Sequence, residues 1–246
     1  MKYAYITDTG KVRDHNEDSV VIVENQNNEI LLAVADGMGG HNAGEIASSL
    51  AITHLGKRFK ELSSIGNKDD AISWLKEIVS EINVLIYKYT DEHPESIGMG
   101  TTLVTAIVTP NFLLIGNIGD SSGFVLKNQE LHKITVDHTL VNLLVKSGEI
   151  TEEEAKEHPK KNVLMKALGA MTNVEIDIFD IETEVNGILL CSDGLTNMLE
   201  KEQIEHVICD SDLTIEERLE KLILKCNNRG GNDNISIAYI ELDGVE

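Results

Sequence analysis

Four aspartates sit where apolar runs meet backbone turns: Asp36 before Gly37, Asp120 after Gly119, Asp193 before Gly194, and Asp233 after the Gly230-Gly231 turn. A donor set made of oxygens suits a hard divalent cation, Mg²⁺ or Mn²⁺, better than zinc or copper. Around the first of them, Ala35-Asp36-Gly37-Met38-Gly39-Gly40-His41 combines a carboxylate, three glycines and an imidazole. The glycines let the chain turn sharply and approach a ligand closely. An acid at a strand tip beside such a loop can hold a cation against phosphate, although the same residues also make an ordinary Asp-Gly turn. His41 can pass a proton to a leaving group or cap the helix that follows. Upstream, Arg13 offers a planar fork of donors to two phosphate oxygens. It can equally pair with Glu17 at i+4. Glu17 and Asp18 both remain candidate ligands, because neighbouring strand residues face opposite ways.

The elements that must position these groups follow from hydrophobic periodicity. Residues 2–7, 20–23 and 30–35 read as strands, the last without a polar residue and therefore buried on both faces. Apolar positions from Ile46 to Phe59 and from Ile72 to Tyr89 recur at helical spacing, with Asn42 as a candidate N-cap of the first helix and Trp74 a core residue of the pair. Four short strands over 101–135 read as an antiparallel meander with Asp120 in a bend. Residues 138–145 resume a helix that Gly148 stops, and the charged segment 149–161 reads as a solvent-facing insertion. Residues 173–184 alternate, 187–192 form a second apolar strand leading to Asp193, helical segments fill 195–228, and 234–242 close the chain as a strand. No repeat or linker divides the chain, and one α/β-type domain with antiparallel sheets covered by helices fits the order. A Rossmann-like fold does not, for want of a regular β-α-β alternation and of G-x-G-x-x-G opening a helix.

Composition narrows the partners. With 21 basic and 42 acidic residues in 246, the formal net charge of −21 argues against nucleic acid and against an anionic membrane surface. A phosphorylated substrate must then be attracted locally, by bound cations or a placed Arg. Cys191, Cys209 and Cys226 form no C-x-x-C pair and are odd in number, so buried thiols in a reducing cytosol are expected. Neither a signal-peptide core nor an apolar run of the ~20 residues needed to span a bilayer is present. A cytoplasmic monomer without membrane insertion is the expectation.

Taken in order, Arg13-x-x-Asn16-Glu17-Asp18, Ala35-Asp36-Gly37-Met38-Gly39-Gly40-His41, Gly100-Thr101-Thr102, Gly119-Asp120-Ser121, Asp137-His138-Thr139, Ala167-Leu168-Gly169, Cys191-Ser192-Asp193-Gly194-Leu195 and Asp233-Asn234-Ile235-Ser236 resemble the successive motifs of the metal-dependent protein phosphatases, the type 2C or PPM family of Ser/Thr phosphatases, in their compact bacterial form. The resemblance covers essentially the whole chain. It implies an α+β fold, a four-layer α-β-β-α sandwich of two antiparallel sheets flanked by helix pairs, in one domain over 1–246 with a flap-like insertion at about 148–172. It implies two Mn²⁺ or Mg²⁺ ions: Asp36 bridging both, Asp193 and Asp233 on the first, the Gly37 carbonyl with Glu17 or Asp18 on the second. Asp120 with Asp193 would form a weaker third site, Arg13 would clamp phosphate and His41 would be the general acid. The implied substrates are phosphoserine and phosphothreonine in proteins, with a bacterial Ser/Thr kinase as the opposing partner. Ser122 and Lys166 stand where many members carry Arg. A catalytically silent phosphoprotein-binding module and a hydrolase of small phosphate esters are the alternatives on the same fold.

Overall fold

The computed structural model describes residues 1–40 and 43–242. His41 and Asn42, and with them the general-acid and N-cap expectations, lie outside the described residues. The chain runs through β1 (Lys2–Asp8), β2 (Asp18–Glu24), β3 (Ile30–Met38), α1 (Ala43–Lys60), α2 (Lys68–Glu92), β4 (Gly100–Thr101), β5 (Leu103–Val108), β6 (Leu113–Ile118), β7 (Ser122–Lys127), β8 (Glu130–Lys133), α3 (Leu140–Ser147), α4 (Glu152–Lys156), β9 (Asp177–Ile181), β10 (Gly187–Cys191), α5 (Asp193–Thr196), α6 (Lys201–Ile208), α7 (Ile215–Asn228) and β11 (Ile235–Glu241).

Two antiparallel sheets result, one ordered β1-β11-β10-β7-β8 and the other β2-β3-β5-β6-β9, with β4 paired to β3. Three apolar cores separate four layers. Leu31, Ala33 and Ala35 of β3 pack toward α1 and α2, whereas Ile30, Leu32 and Val34 face the other sheet. The unbroken apolar run of β3 is thus explained by burial on both faces. Likewise Leu189 and Cys191 of β10 meet α6 and α7, while Ile188 and Leu190 point between the sheets. The helical layers follow local signals. Asn67 caps α2 in a reciprocal capping box with Asp70, and Gly148 ends α3 in the left-handed region at φ 77°. Trp74 packs edge-on against Phe59 at 5.7 Å between ring centroids, a core placement.

Three expectations need correction. The stretch 101–135 is not one meander: β5 and β6 pair with each other, but β7 crosses to the second sheet and pairs with β10. Gly119, at φ +103°, makes the exit from β6. Its position is obligatory for glycine, since a Cβ would stand 2.5 Å from Thr102 Cγ2. Asp36 does not end its strand, for β3 continues to Met38 and Gly37 pairs with Thr101. Helix begins earlier than 195, for Asp193 is itself the first residue of α5 rather than the end of the strand before it.

Candidate active site

The side-chain parity of the strands brings the acids together. Counting from Ile30, Leu32 and Val34, Asp36 projects to the face between the sheets, and Asp18 stands directly opposite it in the β2–β3 register. Asp18 is 7% exposed, and its Oδ2 accepts a hydrogen bond of 2.7 Å from Ser192 Oγ, across from one sheet to the other. Glu17 faces the opposite way and lines a cavity of about 470 Å³ together with Asp36, Gly37, Asp120, Asp193 and Arg13. Asp18 and Asp233 do not line it. Asp233 stands at its edge, where Arg13 Nη2 donates to Asp233 Oδ2 at 2.9 Å. The i+4 pairing of Arg13 with Glu17 is therefore not formed; the guanidinium reaches the far end of the chain instead.

The backbone around Asp36 is pinned from two sides. Its N–H donates to Thr102 Oγ1 at 2.9 Å, its carbonyl accepts from Thr101 Oγ1 at 2.9 Å, and Thr102 Oγ1 lies 2.7 Å from Ser121 Oγ, beside Asp120. Gly37 allows the start of α1 to press against β3: a Cβ there would collide with the Gly44 carbonyl and stand 2.6 Å from the Glu17 carbonyl.

Electrostatics set these carboxylates apart from others in the protein. Burial pushes Asp36 well above the usual carboxylate range, and the neighbouring charges of Asp18, Asp193, Asp120 and Asp233 push it further. Asp18 rises to about 7, through burial that outweighs hydrogen bonds from Ser192 and Ser236. Asp120 rises to about 7, through burial and the charges of Asp193 and Asp137. Asp193 rises to about 6, through burial and Asp233, with hydrogen bonds from Asn197 and Asp36 working the other way. Glu17 is raised by burial, against the pull of Arg13. Among the described residues no three His, Cys, Asp or Glu groups close into a metal-ligand cluster. Yet Asp18 Oδ1 and Asp193 Oδ1 are buried without any hydrogen-bond partner. Buried carboxylate oxygens with nothing to bond, in a group of acids that raise one another's pKa, match the needs of a divalent cation.

Three residues that position the site are given no role from the sequence. Asn234, 4% exposed, holds the loop that bears Arg13 and Glu17: its Nδ2 donates to the carbonyls of Thr9 and His15, each at 2.9 Å, and its Oδ1 accepts from Glu17 N at 2.8 Å. Asn83 on α2 holds the wall at 169–172, donating to the Met171 and Thr172 carbonyls at 2.9 and 3.2 Å and accepting from Gly169 N at 2.8 Å. His138 holds the Asp120 bend. Its Nδ1 accepts from Gly119 N at 3.0 Å, so Nε2 carries the proton toward Asp177 Oδ2, also at 3.0 Å. Asn234 and His138 fall inside the motifs already quoted, but Asn83 lies in a helix whose pattern suggests only packing. The two departures from the family pattern also find places. Ser122 is buried in β7 opposite Cys191, and Lys166 Nζ donates to Asp177 Oδ1 at 2.7 Å.

The sequence model for protein phosphatase 2C matches residues 10–232. The chain belongs to the protein phosphatase 2C family. It is 41% identical over 244 residues to the serine/threonine phosphatase Stp of Listeria monocytogenes, covering 99% of this chain and 96% of that one. It is 34% identical to the protein phosphatase PhpP of Streptococcus pneumoniae, covering 99% and 98%. Among solved structures, the serine/threonine phosphatase Stp1 of Staphylococcus aureus superposes with a TM-score of 0.93 at 36% identity, covering 99% of this chain and 95% of that one. Protein phosphatases 2C depend on Mn²⁺ or Mg²⁺ as a family, and the two-sheet, helix-flanked architecture described above is the fold of these neighbours. Among the described residues no helix is long and apolar enough to cross a membrane.

Proposed function

We propose that the chain removes phosphate from phosphoserine and phosphothreonine in phosphoproteins, in opposition to a bacterial Ser/Thr kinase. The observation that carries this reading is the meeting of Asp36 from one sheet and Asp193 from the end of the other at a single cavity, with unpartnered carboxylate oxygens behind it and Arg13 at its edge. Asp36, Asp193, Asp233 and the Gly37 carbonyl would hold two Mn²⁺ or Mg²⁺ ions, with Glu17 or Asp18 in support and Asp120 with Asp193 serving a third. Bound there, the cations supply countercharge to a phosphate dianion and acidify a water nucleophile.

The chain's own residues do the rest. Asp36, bonded through its backbone to Thr101 and Thr102, gives a fixed point between the sheets. Arg13 exchanges its pairing with Asp233 for the phosphate oxygens, and Asn234 keeps its loop in register while it does so. His41 delivers a proton to the departing serine oxygen, an effect worth ~10²–10⁴-fold in such roles. The segment at about 148–172 acts as a flap beside the cavity, hinged where Leu168 pairs with Thr101. The unpaired thiols of Cys191, Cys209 and Cys226 favour a reducing, cytoplasmic setting, where the protein acts as a monomer.

Chelation is expected to abolish turnover of a phosphoserine peptide and Mn²⁺ to restore it, whereas Asp36→Asn and Asp193→Asn stay inactive with Mn²⁺ present. Full turnover without metal would overturn the reading. Metal binding without turnover would point to a silent phosphoprotein-binding module, and preference for a sugar phosphate over the peptide to a small-ester hydrolase. Loss of His41 should damage phosphoserine turnover far more than that of an aryl phosphate, whose leaving group scarcely needs the proton. Equal losses on both would remove the general-acid role.

A further inference from the structure

A second cavity, of about 440 Å³, opens beside the catalytic one. Its walls come from α3 and from the stretch between Met165 and Glu175, and it shares Met165, Lys166 and Met171 with the catalytic cavity. Three large apolar side chains at this concavity face solvent: Leu143 is 53% exposed, Met165 48% and Met171 42%. A solitary exposed leucine needs no explanation, but apolar residues from separate segments converging on one hollow mark a contact surface. Helix α3 makes the point locally. Its Val141 is buried on the inner face, while Leu143 is turned outward into the groove with Asn142 and Lys146.

Resting on the phosphoprotein phosphatase reading, we propose that this groove is a specificity subsite for an apolar side chain of the substrate, within a few residues of the phosphorylated serine or threonine. Continuity with the catalytic cavity carries the assignment. A polypeptide whose phosphate lies at Arg13 and Asp36 and whose chain continues past Met165 and Met171 passes directly over the groove. The two methionines give it an adaptable lining, because an unbranched thioether repacks around different shapes. The subsite therefore accepts a class of side chain (Leu, Ile, Met or Phe) rather than one residue. It disfavours an acidic one: Lys146 and Lys166 on its rim are balanced by Asp137 and Glu175, so a carboxylate would lose water against the apolar walls without a net countercharge. Discrimination by an apolar pocket of this kind is about tenfold or somewhat more per side chain.

The test uses phosphoserine peptides identical except for Leu, Ala or Asp at one flanking position, scanned on both sides, with p-nitrophenyl phosphate as a substrate too small to reach the groove. In Mn²⁺, the native protein should turn over the Leu peptide with a kcat/KM about tenfold above the Ala peptide at one position, and the Asp peptide below both. Leu143→Glu should erase that gap while leaving the Ala peptide and p-nitrophenyl phosphate within about twofold of native; Leu143→Met should keep the gap. Equal turnover of Leu and Ala peptides at every position overturns the proposal, as does a Leu143→Glu variant that slows all substrates alike. A dimer in sedimentation that Leu143→Glu dissociates, without any peptide preference, would give the face to a second copy and also overturn it. Failure of the native protein to hydrolyse even p-nitrophenyl phosphate would instead refute the phosphatase reading on which the subsite rests.

Discussion

The cluster of acids between the sheets should make the metal-free protein less stable as pH rises, the reverse of what paired surface carboxylates do. The ordinary aspartate value is 3.8, whereas folding lifts Asp18 and Asp120 to about 7 and Asp193 to about 6. Groups whose pKa is raised on folding contribute stability that is complete below pH ~4 and is lost as pH climbs through their folded values. The window is therefore roughly pH 4 to 7. Each proton that the fold retains and the unfolded chain does not is worth about 1.4 kcal/mol per pH unit. Counting a single shared proton for the whole cluster, with a folded value of about 7 so that it is half released at pH 7, the loss between pH 5 and 7 is about 2 kcal/mol, or roughly 4–8 °C in Tm for a chain of this size. Carboxylates shifted the other way, Glu29 and Asp177 among them, add stability as pH rises to their unfolded values of 4.5 and 3.8, so the decisive comparison is made above these, from pH 5 to 7. Thermal melts in chelator at half-unit pH steps measure the slope directly. Mn²⁺ should flatten it by holding the carboxylates ionised, and at a hundredfold excess over Kd should add about 2.7 kcal/mol. Asp36→Asn, which removes the centre of the cluster, should flatten the slope without metal. A Tm in chelator that stays level or rises from pH 5 to 7, or the same fall with Mn²⁺ present, would refute this account of the site.

Two further outcomes follow from the residues that hold the site. Asn234→Ala deletes the part-buried hydrogen bonds to Thr9, His15 and Glu17, so chemical denaturation should show a loss of about 1–2 kcal/mol and titration calorimetry a weaker affinity for Mn²⁺; unchanged stability would mean that water replaces the side chain at no cost. Asn83→Leu strands Gly169 N and releases the Met171 and Thr172 carbonyls, so amide exchange at 168–172 should speed up and KM for phosphopeptides rise more than KM for p-nitrophenyl phosphate; faster exchange without a change in peptide KM would detach this wall from substrate binding.

How much of this was legible beforehand depends on whether a feature is local. The apolar run 30–35 could only be a strand covered on both sides, and β3 is one, with Ile30, Leu32 and Val34 on one core and Leu31, Ala33 and Ala35 on another. The helical stripes of α1 and α2 were equally plain, because each face of a helix is written in one continuous segment. The ordered motifs proposed Asp36, Asp120, Asp193 and Asp233 for one site, and the first three line one cavity.

Neighbour relations were not written in the same way. Periodicity says which face a strand residue occupies but not which strand lies beside it. That is why β7 read as the continuation of a meander although it belongs to the other sheet, opposite β10. Adjacent acids at 17 and 18 looked alike on paper, and only the fold shows that Asp18 lies opposite Asp36 while Glu17 lines the cavity. Arg13 had a partner four residues away on paper, and a different one, Asp233, in space. Residue types, their order and the faces they take are set along the chain. Only folding decided which of them meet, because register, sheet exchange and long-range hydrogen bonds arise between segments that no local pattern connects.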